Sequence, residues 1–321
     1  MRNKMKAMVI YEPGGPEKFV LEERAIPSVK EGWTLVKIKG FGINHSEIFT
    51  RKSLSPTVQF PRILGIECVG QVVETTRRDL QEGQKIVSIM GEMGRAYDGS
   101  YAEYTLLPNE QIYPVDSQLS WAELAAIPET YYTAFGSFKN MQIKEGDSIL
   151  VRAATSGVGL AFLKLVKAQF PQNRVVGAVR SLAKKDLLQQ QGFDEIILDE
   201  RGVLQTEEKF DKILELVGPA TLKNSFDHIQ SAGIICNTGQ LGGKWYVEEF
   251  DPIVEIKNNS FLTSFYSGNV SQQLIDELFS YIDAYQINVS PQRVFSLEQI
   301  PAAHSYIESQ VGFGKVVVLN D

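Results

Sequence analysis

Cysteine is nearly absent: Cys68 and Cys236 are the only two in 321 residues, too few for a disulfide framework or a cysteine-rich metal site. No apolar run approaches the roughly 20 residues that span a bilayer, so no membrane segment is expected. Positive charge is in deficit, with 32 basic residues against 39 acidic ones and a formal net charge of −7. That balance argues against a duplex-binding protein, which needs a concentrated basic face to displace counterions. The amino terminus starts basic, Met1-Arg2-Asn3-Lys4-Met5-Lys6, but runs straight into the strand-like Ala7-Met8-Val9-Ile10-Tyr11. Without a long apolar segment and a cleavage site it does not read as a signal peptide. Internal repeats and low-complexity tracts are also missing. These absences leave the expectation of a cytoplasmic, mostly reduced protein, an enzyme with neither nucleic acid nor membrane as a partner.

What is present is ordinary globular material, 43% hydrophobic and 22% charged. The chain is longer than one core usually organises, so two domains are expected. The first third is strand and turn. Ala7–Tyr11, Thr34–Phe41, Val69–Glu74, Lys85–Ile89 and Tyr101–Leu107 carry alternating, β-branched or aromatic residues. Turn chemistry separates them at Glu12-Pro13-Gly14-Gly15-Pro16, Lys30-Glu31-Gly32 and Gln81-Glu82-Gly83. Short strands without helices between them suggest a barrel-like β domain. Near Leu119 the texture changes: Ser120 and Glu123 form a capping box opening a helix.

From Asp147 onward strands and helices alternate. Strand candidates are Ser148–Val151, Arg174–Val179, Glu195–Leu198, Lys212–Val217, Gly233–Asn237 and Phe261–Phe265, with helices over Val158–Ala168 and Ala183–Gln191. Continuous apolar strands alternating with helices indicate an α/β fold whose parallel sheet is covered on both faces. The tail, Ile275–Tyr285, Gln299–Ser309 and Lys315–Leu319, has no pattern of its own and is expected to complete the first domain.

The most informative stretch is Ile149-Leu150-Val151-Arg152-Ala153-Ala154-Thr155-Ser156-Gly157-Val158-Gly159. A buried strand enters a turn of small residues and leaves as a helix. The dinucleotide fingerprint would place glycines at 154, 156 and 159; here those positions hold Ala154, Ser156 and Gly159, with Gly157 added. Small residues let the backbone approach a pyrophosphate, and the helix amino terminus supplies amide donors. Thr155, Ser156, Gly157, Val158 and Gly159 are therefore candidate cofactor contacts; the alternative is a tight turn that binds nothing. An NAD-preferring fold commonly ends the next strand with an acid that holds the ribose diol. Here Arg180 and Ser181, then Lys184, stand instead, a cationic, hydroxyl-lined end suited to a 2′-phosphate, or else an ordinary solvated helix start. Val217-Gly218 and Thr238-Gly239 end two further strands, where open parallel sheets bind ligands, unless they are simple turn glycines. Cys68 and Cys236 lie in apolar runs and read as core.

Several segments taken together resemble the medium-chain dehydrogenase/reductase superfamily, and within it the zinc-independent quinone oxidoreductase branch. They are Gly42-Ile43-Asn44-His45-Ser46-Glu47, Pro61-Arg62-Ile63-Leu64-Gly65-Ile66-Glu67-Cys68-Val69-Gly70 and Asp98-Gly99-Ser100-Tyr101-Ala102-Glu103-Tyr104. The series continues through Ile127-Pro128-Glu129-Thr130-Tyr131-Tyr132-Thr133-Ala134, the turn at 153–159, and Gly314-Lys315-Val316-Val317. The resemblance covers essentially the whole chain. It implies a barrel-like, GroES-like catalytic domain over 1–122 and 263–321, a doubly wound Rossmann coenzyme domain over 123–262, and a nicotinamide site in the cleft between them.

In zinc-dependent relatives a cysteine stands at the position of Asn44 and a histidine at that of Ile66, and the third ligand falls near Glu129. Two of three ligands are thus replaced by residues that bind zinc poorly or not at all. No metal is expected, and Glu67 reads as a buried acid holding a loop amide or an arginine. Without a Lewis acid, the substrate must accept hydride easily, as quinones and enones do. The resemblance assigns Asn44 and Thr130 to the nicotinamide and substrate region and leaves Tyr132 as a nearby hydroxyl, or as packing. It adds Phe265, Tyr266 and Lys315 to the cofactor contacts. A family tyrosine is replaced by Phe49, which removes one hydroxyl. The resulting expectation is a homodimeric NADPH:quinone or enone reductase. A reductase of enoyl or 2-alkenal compounds, and a nucleotide-binding relative with little activity, stay open beside it.

Overall fold

The computed structural model describes residues 3–309 and 311–320, so Met1 and Arg2 of the basic start lie outside the described residues. In chain order the elements begin with β1 (Lys4–Ile10), β2 (Phe19–Ala25), β3 (Trp33–Ile43), α1 (His45–Arg51), β4 (Arg62–Ile63) and β5 (Glu67–Thr75). Then come β6 (Lys85–Ile89), β7 (Tyr104–Pro108), β8 (Tyr113–Pro114), α2 (Trp121–Ala125) and α3 (Pro128–Asn140). The alternating region holds β9 (Ile149–Arg152), α4 (Gly157–Gln169), β10 (Val175–Val179), α5 (Lys185–Gln191), β11 (Glu195–Glu200), β12 (Val203–Leu204) and β13 (Phe210–Glu215). It continues with α6 (Leu222–Asp227), β14 (Ile229–Asn237), α7 (Pro252–Glu255) and β15 (Phe261–Ser264). The tail is α8 (Gln272–Ala284), β16 (Arg293–Ser296), α9 (Ile300–Glu308) and β17 (Val316–Leu319).

The chain divides into two compact units, Met1–Tyr132 with Ser267–Tyr281 and Val289–Asp321, and Thr133–Tyr266 with Ile282–Asn288. The second unit therefore begins at Thr133, where a change of sequence texture suggests 123. The reason is α2, which packs on β3, β5 and β17 of the first unit and is opened by the Ser120–Glu123 capping box expected from the sequence.

The first unit is mainly β, but it also holds α1, α2 and α9, and α1 interrupts the run of short strands expected from the sequence. One sheet runs β16-β17-β3-β5-β6-β8 with β7 also on β3, and a second runs β2-β1-β4. β17 pairs antiparallel with β3, Val316 opposite Ile43, while Ile282–Asn288 of the tail falls in the second unit. The core of the first unit gathers inward-facing residues such as Met8, Ile38, Phe41, Leu64, Tyr101 and Val318.

The second unit is an α/β unit whose sheet runs β12-β11-β10-β9-β13-β14-β15. Apart from the β11–β12 pair, its strands are parallel. β9 and β10 are buried at every position, which is why they read as continuous apolar runs rather than alternating ones. Leu150, Val176, Phe210, Ile213 and Ile235 form the core between sheet and helices. Each fully buried side chain of this type stabilises by about 1.5–3 kcal/mol. Among the described residues no helix is long and apolar enough to cross a membrane.

Candidate functional site

In the second unit the turn after β9 has the form a phosphate-binding turn requires. Ala153 takes a left-handed φ of 58°, a conformation that costs a non-glycine residue about 1–2 kcal/mol. Such strain persists where the surroundings over-determine it, often at functional positions. Thr155 stands half-buried at the tip of the turn. Ser156 is the N-cap of α4, its hydroxyl accepting the Gly159 amide at 3.1 Å. Gly157 and Val158 open that helix half-buried. Gly159 permits the helix to lie close on the strand: a Cβ there would stand 3.0 Å from the Ala153 carbonyl oxygen. The strand, the small-residue turn and the capped helix start together fit the pyrophosphate of a dinucleotide.

At the carboxyl end of β10, Arg180 is exposed and makes no ion pair among the described residues. Ser181 caps the short turn that follows, accepting the Ala183 amide at 3.3 Å, so the segment 183–191 begins as a 3-10 turn over Leu182–Lys184 before α5. Lys184 has its pKa lowered, first by partial burial and then by the positive charge of Arg180. Arg180 and Lys184 thus lie near enough for their charges to interact. Val217-Gly218 follows β13 and Thr238-Gly239 follows β14, both at carboxyl ends of parallel strands. Phe265 lies against Gly136, where a Cβ would meet its ring, and Tyr266 is exposed.

In the first unit, the Asn44 side chain is clasped between two partners. Its Nδ2 donates to Glu67 Oε1 at 2.9 Å, and its Oδ1 accepts from Lys315 Nζ at 2.8 Å. The same ammonium donates to Glu67 Oε1 at 2.6 Å, with both ionic side chains almost fully buried. Glu67 Oε2 accepts the Glu129 amide at 2.6 Å. Glu67 is thus a buried acid, but the amide it holds belongs to the first turn of α3 rather than to a loop, and its cation is Lys315 rather than an arginine. Glu47 lies beneath: its two carboxylate oxygens accept the amides of Asn44 and Ile66 at 3.1 and 3.3 Å. Burial, and then the Glu67 charge, raise its pKa to about 7.

The three positions relevant to a catalytic zinc can be tested on these atoms. Ile66 brings no donor atom. The Asn44 carbonyl oxygen is bound by an ammonium. Glu129 Oε1 is taken up by Ser267 Oγ at 2.8 Å. Among the described residues no group of three or more His, Cys, Asp or Glu side chains could hold a metal ion. This donor set does not fit zinc.

Thr130, in the first turn of α3, is nearly buried, and its hydroxyl makes no hydrogen bond among the described residues. Tyr132 is fully buried; its hydroxyl donates to the Asn269 carbonyl at 3.0 Å and accepts the Ser271 amide at 3.1 Å. That proton is committed to tying a loop to α3, and burial raises the phenol's pKa. Tyr131 is packed in the core, as are Cys68 and Cys236. So in the second unit the structure brings the turn 155–159 onto one sheet with 217–218 and 238–239, and in the first it joins Asn44 to Lys315. It ties the Tyr132 hydroxyl to the backbone at Asn269 and Ser271. Sequence reasoning missed Arg152 and Glu215, both wholly buried; an arginine closing the otherwise apolar β9 and a glutamate after the apolar Ile213-Leu214 of β13 were the available signal.

Two family models match the chain: an alcohol dehydrogenase GroES-like domain over residues 30–117 and a zinc-binding dehydrogenase over 191–318. The chain is 23% identical to a quinone oxidoreductase of Sus scrofa, the match covering 98% of each. It is 25% identical to an Arabidopsis thaliana NADPH-dependent alkenal/one oxidoreductase of the chloroplast, over 98% of this chain and 79% of that protein. The solved quinone oxidoreductase of Coxiella burnetii superposes with a TM-score of 0.84 at 21% identity, covering 99% of this chain and 100% of that one.

Proposed function

The chain belongs to the medium-chain dehydrogenase/reductase superfamily and is an oxidoreductase, and from that premise we propose that it reduces a quinone or another conjugated carbonyl compound with NADPH, without zinc. The observation that carries this reading is the carboxyl end of the second unit's sheet. There the capped turn at 153–159 follows β9, and the neighbouring β10 is followed in sequence by Arg180 and Lys184, where an NAD-preferring fold commonly carries an acid. A bound NADPH supplies the hydride.

The chain's own groups do the rest. Amides at the start of α4 receive the pyrophosphate, and Arg180 with Lys184 receives the 2′-phosphate through charge-assisted hydrogen bonds. Asn44 and Thr130 are assigned to the reacting ring and the acceptor. Because Lys315 draws on the Asn44 carbonyl oxygen, the amide N–H is a stronger donor than in an unpolarised asparagine. Conjugated carbonyls fit a zinc-free site because the negative charge left by hydride addition spreads onto oxygen, where fixed donors stabilise it. The proton that completes the reduction comes from water, since the Tyr132 proton is held by the Asn269 carbonyl.

The test is NADPH oxidation with one simple quinone and one simple enone, beside an equilibrium titration of NADPH. Turnover with either acceptor is expected. Tight NADPH binding with no oxidation by either would contradict the proposal and leave a nucleotide-binding protein.

A further inference from the structure

Arg152 is the last residue of β9, immediately before the phosphate turn, and it is 0% exposed. All three guanidinium nitrogens are engaged. Nε and Nη2 donate to Asp199 Oδ2 at 3.1 and 2.6 Å, and Nη2 also to the Gly202 carbonyl at 3.1 Å. Nη1 donates to Thr221 O, Asn224 Oδ1 and Ser225 Oγ at 3.2, 3.1 and 3.0 Å. Glu215, at the end of the neighbouring β13, is equally buried, with Oε2 3.7 Å from Arg152 Nε and accepting from Ser225 Oγ at 2.6 Å.

Glu215 faces two ways. Its other oxygen, Oε1, accepts the amides of both Val217 and Gly218 at 2.9 Å. Its backbone carbonyl accepts the amides of Thr238 and Gly239 at 3.0 and 3.1 Å. The turn it holds includes Gly218 at φ +90°, a conformation open to glycine. The turns after β13 and β14 are further stitched by Gly242 N to Val217 O at 2.9 Å. The buried charges of Asp199, Arg152 and Glu215 therefore link the exits of β11, β9 and β13, and the Glu215 backbone carbonyl ties in that of β14.

A buried ion pair is poor evidence for stability, because well-packed apolar residues of similar volume serve at least as well. What apolar residues could not do is present a charged acceptor to two consecutive backbone amides. Burial raises the pKa of Glu215, and the Arg152 charge and the hydrogen bonds to its carboxylate work against that rise. We propose that Arg152 and Glu215 are a positioning pair that sets the 217–218 and 238–239 turns in the form that receives the dinucleotide. This rests on the proposed NADPH-binding function.

Two measurements separate the pair's role from that premise. In the protein without cofactor, hydrogen exchange at Val217, Gly218, Thr238 and Gly239 should quicken by about ten-fold or more in Arg152→Met, with most of it reversed in Arg152→Lys. Glu215→Gln keeps the size and removes the charge, so it carries the test if Arg152→Met does not fold. In titrations and steady-state assays, the same variants should raise Kd and KM for NADPH about ten-fold, equivalent to one lost charge-assisted hydrogen bond. kcat should change less than about two-fold, the signature of lost binding rather than lost chemistry. Unchanged exchange at the four amides would overturn the pair's role, whatever the binding. Faster exchange with unchanged Kd would overturn its link to the cofactor. A wild-type protein that binds no NADPH would overturn the functional premise and the link with it.

Discussion

In the proposed NADPH-dependent reduction, Arg180 is the residue on which cofactor choice would turn. A hydrogen bond to a charged partner contributes about 1.5–3 kcal/mol, and exposure of Arg180 to water reduces that toward the lower end. Arg180→Ala should raise the apparent KM for NADPH by roughly ten-fold, at about 1.4 kcal/mol per decade, and leave that for NADH nearly alone. Lys184→Ala should do the same more weakly, since lysine offers a point charge rather than a planar fork. Steady-state kinetics with both cofactors checks this; an Arg180→Ala enzyme with an unchanged NADPH-to-NADH ratio would contradict it. Two buried groups in the first unit set an opposing pair of pH effects. Glu47 has its pKa raised from 4.5 to about 7 by burial and by Glu67, so its contribution to stability is full below 4.5 and is lost as pH rises toward 7. His304, whose Nε2 meets the Tyr101 hydroxyl at 2.9 Å, has its pKa lowered from 6.5 to about 3 by burial and then by Arg51. Its contribution is present above 6.5 and lost as pH falls toward 3. Between pH 4.5 and 6.5 the two slopes, each about 1.4 kcal/mol per pH unit, cancel. His304→Leu should expose the Glu47 slope, so that its unfolding free energy falls with rising pH across that window relative to the native protein. Parallel urea-unfolding profiles for the two proteins would contradict this.

At the scale of elements, α4 is the piece whose form matters most, because its amino terminus is the one proposed to receive the pyrophosphate. Ser156→Ala removes the cap on the Gly159 amide and should cost about 1 kcal/mol of stability, with a matching loss of dinucleotide affinity. Thermal unfolding with and without NADPH reads both, and an unchanged midpoint in each would count against the cap. This element was legible because helix and strand periods change over a few residues, from β9 to α4. β10 and β6 were equally plain, since buried or alternating runs between turn residues admit few other structures. β2 was not anticipated. Phe19-Val20-Leu21-Glu22-Glu23-Arg24-Ala25 carries three consecutive charges, and it is a strand because each of its residues pairs with one of β1, a long-range fact that local pattern does not contain. The same limit applied to the site. Turn residues 155–159 and the cations at 180 and 184 are local signals. The joining of Asn44 to Lys315 spans almost the whole chain, and the Arg152–Glu215 pair depends on two strands lying side by side.

For the whole molecule, the open question of assembly centres on β15. It is the last strand of the second unit's sheet, and Phe261 is 59% exposed with Leu262 beside it also uncovered. An unpaired apolar edge is a template for another strand, and a second copy of the same edge would cover it across a two-fold axis. Light scattering at micromolar concentration should give twice the mass of one chain, and Phe261→Lys with Leu262→Glu should give the single-chain mass; a native monomer would rule out this assembly. The proposed zinc-free reduction of a conjugated carbonyl by NADPH makes metal and cofactor dependence measurable in one assay. NADPH oxidation by a simple quinone is followed before and after exhaustive chelation, with NADH run in parallel. The expected result is a rate that chelation leaves unchanged and a kcat/KM for NADPH at least about ten times that for NADH, one charge-assisted contact's worth. A rate abolished by chelation and restored by zinc, or equal use of the two cofactors, would contradict it.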